Sequence, residues 1–229
     1  MRVVIAGAGR AGISVAIHLL SAGHDVVVVD QDATIIEQAF EHHGLVALVG
    51  DGTDMAVLDE AEVGRADVLV ALLRRDADNL AVAMLAKAAG ARRVMVRMRD
   101  SAYRPLYAAA GVSRVLSEID VFVGALSTAI EHDAVSHAMV LGAGGSIAFE
   151  ISVPQGAVVD GKSVSDLASA PGVPASCVLA ALGDPAGAVS APRGGSVVSA
   201  GMRLLLVAHR ADLSAAVAFF TRVAEPPTG

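Results

Sequence analysis

Six residues near the start of the chain, "GAGRAG" (7–12), constrain its fold more than any other stretch. They stand between the strand-like run "MRVVIA" and the helix-like run "ISVAIHLL". A strand that passes into a helix through glycines at this spacing opens a Rossmann-type βαβ unit. Gly7 permits the tight turn, Gly9 lets a pyrophosphate approach the backbone, and Gly12 permits close packing of helix on strand. The helix start then offers N–H groups and a positive dipole end to phosphate. Ala8, Arg10 and Ala11 complete this candidate phosphate loop. Asp30, with Gln31 beside it, follows Gly12 by 18 residues at the tip of the next strand-like run. A carboxylate there accepts both ribose hydroxyls and repels a 2′-phosphate, which disfavours NADP. Arg10 has two readings: a charge aimed at phosphates, held by this chain or by a neighbouring subunit, or a solvated arginine at a helix start.

The runs that follow alternate strand and helix. Predicted strands cover 2–6, 25–30, 45–50, 66–73, 92–98 and 114–117. Predicted helices cover 11–23, 33–44, 54–63, 76–90 and 101–111, with Thr53 or Asp54 as the cap of the third. Tight loops between them predict a parallel α/β sheet. Such strands are buried on both faces and read as unbroken apolar runs, as "DVVVVD" does. Because 54% of residues are hydrophobic while Phe, Tyr and Trp number five, two and none, the core must be aliphatic.

After residue 119 the rhythm changes. Apolar positions 121, 122, 126, 130, 134, 135 and 138 keep helical spacing, so 120–141 reads as one long helix. "GAGG" (142–145) breaks it and marks a domain boundary, giving domains over 1–141 and 146–229. The second half is rich in Gly, Ser, Pro and Val. Strands are expected over 146–153, 175–182 and 202–209, and helices over 163–170 and 212–223, with "EPPTG" as a frayed tail. This composition predicts a small α+β domain.

Several functions are disfavoured. A formal net charge of -7 does not suit nucleic-acid binding, which needs a basic excess. The single cysteine, Cys177, supports neither an internal disulfide nor a Cys-rich zinc site and reads as a small apolar filler. Neither a signal peptide nor an apolar run of about 18 residues stands out, so a soluble cytoplasmic protein is expected. A dehydrogenase usually needs a proton-transfer residue near its cofactor. Here His18, His24, His42 and His43 fall on the first two predicted helices or their ends, and His132 and His137 on the long one. Tyr103 and Tyr107 read as packing residues, and the two lysines, Lys87 and Lys162, match no Walker motif. The chain is expected to bind a nucleotide without transforming it; a small NAD-dependent oxidoreductase is the alternative.

Several stretches together resemble the RCK domains (regulators of K⁺ conductance) of the Trk/Ktr potassium-uptake systems. They are "GAGRAG", "VVVVDQD" (26–32), "VGDGTDMAVLDEAEV" (49–63), residues 66–100 and "AGVSRVLSEID" (110–120). The resemblance implies a Rossmann half, a crossover helix over 120–141 and a small C-terminal RCK domain. It implies a cytosolic regulatory subunit, peripheral to the inner membrane, that binds ATP, ADP or NAD(H) and gates a separate membrane K⁺ transporter or channel subunit as a homodimer within a larger ring. It adds Asp51, Gly52 and Thr53 against the adenine, Ala71 and Leu72 on the floor, and Arg97 either near the phosphates or as a plain strand-end residue. Glu118 matches a family glutamate that helps hold a divalent cation between subunits, although Ser117 replaces the usual proline before it. The C-terminal half matches more loosely, with Met202 in place of an acidic residue.

Overall fold

The computed structural model describes residues 1–141 and 145–224. They form two compact units, Met1–Ile119 and Asp120–Gly229.

In the first unit, six strands lie parallel in the order β3-β2-β1-β4-β5-β6. They are β1 (Arg2–Ala6), β2 (Asp25–Asp30), β3 (Val46–Val49), β4 (Val68–Ala71), β5 (Val94–Met98) and β6 (Arg114–Ser117). The helices between them are α1 (Arg10–Ser21), α2 (Ala33–His43), α3 (Met55–Glu60), α4 (Asp76–Ala88) and α5 (Arg104–Ala109). Strand side chains alternate between the faces of the sheet. Val3, Ile5, Val26, Val28 and Val68 therefore pack with Ala16 of α1 and Ile36 and Ala39 of α2. Val4, Ala6, Val27, Val29 and Leu69 pack on the other face with Leu58 of α3, Val82, Ala83 and Ala86 of α4, and Tyr107 of α5. Two buried faces explain the unbroken valine runs. Local signals end the helices as expected. Asp32 caps α2 by accepting from the N–H groups of Thr34 and Ile35, and Gly44 closes it in the left-handed region at φ 63°. Asp54, one of the two expected caps, starts α3 by accepting from the N–H of Ala56.

A further helix, α6 (Glu118–Glu131), follows β6, and the division between the units falls after its second residue. The single helix expected over 120–141 is not formed. The chain turns after Glu131, with the Val135 N–H donating to the His132 carbonyl at 2.9 Å. Residues Val135–Leu141 then make a strand, β7. The cause lies outside the segment. β7 pairs antiparallel with β8 (Ser146–Ser152), and a bulge between Val135 and His137 shifts its register. Residues 134, 135 and 138 happen to keep helical spacing, and it is pairing with the next strand in the chain, Leu141 facing Ser146, that decides their conformation. The second compact unit starts at Asp120. Of the expected break at 142–145, residues 142–144 lie outside the described residues, as does the expected tail at 225–229.

The second unit carries a five-stranded antiparallel sheet in the order β10-β9-β11-β8-β7. It is completed by α7 (Val164–Ala168), β9 (Val178–Gly183), the two-residue β10 (Val189–Ser190), β11 (Arg203–His209) and α8 (Leu213–Thr221). Its core joins Ile147, Phe149 and Ile151 of β8 and Leu204 and Leu206 of β11 to Leu213, Ala216, Val217 and Phe220 of α8. Among the described residues no helix is long and apolar enough to cross a membrane.

Cys177 packs against this second core. Burial, reinforced by the Asp212 carboxylate, pushes its thiol up to about 11. Iodoacetamide should therefore label it slowly at pH 8, with a rate that climbs until about pH 11. Unfolded protein should label with an ordinary thiol pKa of about 8.5. Because the folded pKa is raised, this group's contribution to stability is full below about pH 8.5 and is lost as pH rises toward 11. Labelling-rate profiles with and without denaturant check both statements.

Candidate functional site

The carboxyl ends of β1 to β4 lie side by side at one edge of the parallel sheet, and the space beyond them is the candidate crevice. β1 is flanked by β2 on one side and by β4 on the other. This is the point where strand order reverses, and open α/β sheets bind ligands there.

The loop after β1 is shaped by two glycines that admit no other residue. Gly7 has φ +109°, and its N–H donates to the Val29 carbonyl at 2.8 Å. A Cβ on it would stand 3.0 Å from the backbone C and O of Leu72. A Cβ on Gly12 would stand 1.8 Å from the Gly7 carbonyl oxygen, so α1 rests on the turn that precedes it. Gly9 differs: it caps α1 without a side-chain bond, and a Cβ there would meet nothing within 4 Å. The backbone at Gly9 thus faces open space at the start of a helix, which fits a phosphate group. Ala8 is buried, whereas Arg10 and Ala11 are exposed, and Arg10 has no partner among the described residues.

Asp30 braces this loop. One carboxylate oxygen accepts from the Ala8 N–H at 2.7 Å and the other from the Asp32 N–H at 3.0 Å. A carboxylate offers about four acceptor positions, so two remain for hydroxyl donors. Gln31 is exposed beside it. The strand-end position of Asp30 was legible in the sequence; its hold on the phosphate loop was not.

The loop after β3 enters from the side. Asp51 accepts from both the N–H and the hydroxyl of Thr53, at 2.8 and 2.7 Å, and these bonds hold its carboxyl below the usual range. Gly52 is buried, and a Cβ on it would stand 3.3 Å from the Ala6 side chain. Ala71 and Leu72, expected as the floor, stand at the end of β4, with the Leu72 N–H donating to the Ala6 carbonyl at 2.8 Å.

Arg97 and Glu118 take places that spacing did not indicate. The Arg97 guanidinium passes beneath the end of β4, where Nη2 donates to the carbonyls of Leu72 and Leu73 at 3.1 and 2.8 Å. Its Nη1 lies 3.6 Å from Glu118 Oε2, and Arg99 Nε lies 3.8 Å from the same oxygen. A carboxylate between two guanidinium groups does not fit a divalent cation, which needs several oxygen ligands. Among the described residues no group of three His, Cys, Asp or Glu side chains is placed to hold a metal.

Sequence reasoning missed a buried polar network under the floor. Asn79 is fully buried; its Oδ1 accepts from the Leu73 N–H, and its Nδ2 donates to the carbonyls of Leu73 and Arg97. Asp76 accepts from the N–H groups of Arg99 and Asp100 and from the Tyr107 hydroxyl. Burial, then that bond to Asp76, raises the Tyr107 hydroxyl far above its ordinary value. Tyr107 was expected to be simple packing. The available signal was "DADN", two polar residues three apart on a helix whose face should be apolar.

With this geometry in view, comparison with known proteins identifies the class. Residues 3–118 match the TrkA-N domain model. The chain is 30% identical over 167 residues to the Trk system potassium uptake protein TrkA homolog of Methanothermobacter thermautotrophicus, covering 73% of this chain and 77% of that protein. It is 33% identical over 222 residues to the TrkA homolog of Archaeoglobus fulgidus, covering 93% of this chain and 48% of that one. The chain therefore belongs to the TrkA-N domain family, and its curated relatives are Trk potassium-uptake proteins. Its fold matches the GsuK channel with a TM-score of 0.69 at 19% identity, over 98% of this chain and 40% of that one. A structure described as GsuK channel bound to NAD gives 0.66 at 18% identity. The chain thus spans about half the length of the second relative and less of GsuK. The Rossmann-like sheet and the small antiparallel sheet are those of RCK domain structures.

Gly12 and the open Gly9 respond differently to a methyl group. Gly12→Ala drives a Cβ into a backbone carbonyl and should cost at least about 1–3 kcal/mol. Gly9→Ala, at φ -62° with free space around it, should stay within about 0.5 kcal/mol of wild type. Urea denaturation of both variants checks the contrast.

Proposed function

We propose that this chain is a non-enzymatic regulatory subunit that binds an adenine nucleotide (ATP, ADP or NAD(H)) in the β1–β4 crevice and controls a membrane K⁺ transporter or channel of the Trk/Ktr type. The observation that carries the proposal is the Gly7–Gly12 loop. Two of its glycines are demanded by backbone contacts of the fold, while the third leaves open space at a helix start. The Trk relatives and the described NAD complex of GsuK support it. In this reading the first-turn N–H groups of α1 and Arg10 receive the phosphates, and Asp30 receives the ribose. Asp51–Thr53 and the Ala71–Leu72 floor flank the base. Ligand binding works as a switch only where two conformations bind it with different affinity.

We also propose that the subunit acts as a homodimer within a larger ring, peripheral to the membrane through its partner. Val121, Phe122 and Ile130 of α6 are 71%, 62% and 72% exposed, an apolar surface that a second copy would cover. Glu118 is not proposed as a metal ligand, because two arginines already flank it.

Calorimetry with ATP, ADP and NADH should show binding to the wild-type chain, and Asp30→Ala should weaken it by about 1–3 kcal/mol, roughly 5- to 150-fold. Equal affinity in both proteins would remove the ribose assignment. Turnover of NADH with a carbonyl substrate would favour an oxidoreductase. Light scattering at micromolar concentration should give at least a dimer, and Phe122→Asp combined with Ile130→Asp should shift it toward monomer. A wild-type monomer would overturn the ring.

A further inference from the structure

We propose that Arg97 is a positioning residue that couples occupancy of the crevice to the first turn of α6, by letting Glu118 pass between two arginine partners. The inference rests on the nucleotide reading above and adds to it how binding leaves the site.

The starting point is the peptide after β4. A Cβ on Gly7 would stand 3.0 Å from Leu72 C and O, so the phosphate loop rests directly on this segment. Arg97 Nη2 holds the same segment from below through the Leu72 and Leu73 carbonyls. A ligand that presses on the loop after β1 therefore presses on the Leu72 carbonyl, one of the two that orient the guanidinium. A guanidinium is a rigid planar fork, so a rotation imposed on one edge is carried to the other. That other edge, Nη1, faces Glu118, the first residue of α6.

The surrounding structure confines the movement to this side chain. Asn79 fastens the backbone of Leu73 and of Arg97 with three hydrogen bonds, and Asp76 fastens Arg99 and Asp100 through their N–H groups. The strand ends are thereby fixed. The contacts of Glu118 are not: its two ion pairs, at 3.6 and 3.8 Å, are longer than hydrogen bonds and nearly equal. Arg97 Nε is also buried with no partner, so this arrangement leaves one donor of the guanidinium unused. Both guanidinium groups reach the same oxygen, Oε2, in one bridged geometry, so a small rotation of the Arg97 fork would release the carboxylate to Arg99 or draw it in. A ligand that favours one of these outcomes shifts the start of α6, which is the kind of two-state element that coupling requires.

The test is hydrogen exchange over residues 118–131, with no nucleotide and with ATP or NADH at a concentration that saturates each protein by calorimetry. Wild type should show a change in exchange of about threefold or more on binding, equivalent to about 0.6 kcal/mol or more. Glu118→Gln removes the shared charge without touching the crevice. Its nucleotide affinity should change by no more than the coupling it removes, about threefold, and it should lose that change in exchange. Arg97→Met should lose it too, at its own saturating concentration. A purely structural role would lower stability in these variants and leave the ligand-induced change in place. A nucleotide-induced change that persists in Glu118→Gln overturns the relay, and so does a wild type that binds without altering 118–131. Failure of wild type to bind either nucleotide is a separate result that removes the underlying nucleotide reading.

Discussion

The contact of Gly12 with the Gly7 carbonyl is the constraint on which the geometry of the candidate crevice depends. With 1.8 Å between an ideal Cβ and that oxygen, α1 can sit this close to β1 only when residue 12 has no side chain. The close approach sets where the helix begins. It sets the φ of +109° at Gly7, and so places Gly9 at the open end of α1. Asp30 then locks the loop through the Ala8 N–H, and Leu72 supports it from the neighbouring strand. Each of these contacts lies between segments brought together by the parallel order of β2, β1 and β4.

Beneath that crevice the protein spends buried polar groups where an aliphatic chain has few to spare. Asn79 and Asp76 satisfy backbone groups at the carboxyl ends of β4 and β5, where strand pairing has stopped and donors would otherwise be left without acceptors. Buried networks of this kind hold a unique geometry when every member is satisfied. The exception is Arg97 Nε, and it belongs to the side chain that joins the floor to α6. Rigid backbone around one under-satisfied side chain is an economical way to localise movement.

The second unit is organised by different forces. Its antiparallel sheet buries one face under α8, while α6 keeps large apolar side chains in solvent. Only Thr128 of α6 is buried. That imbalance motivates the dimer.

The alternation of strand and helix, both buried faces of the parallel sheet, the helix caps and the glycine turn after β1 were legible in sequence, because each is set by residues within a few positions of one another. Gly7, Gly9, Gly12 and Asp30 could be found by spacing alone, since a strand–turn–helix leaves them little freedom. What only the tertiary structure decided depends on backbone pairing that no run of side chains specifies. Residues 135–141 keep an apolar spacing compatible with a helix, yet β8 supplies hydrogen bonds that make them a strand. Arg97 was legible as a cation at a strand end, but its partners, the carbonyls of Leu72 and Leu73 and the carboxylate of Glu118, are chosen by strand order. Local sequence carries conformational preference; it carries no record of which backbone groups from a distant strand will need a partner.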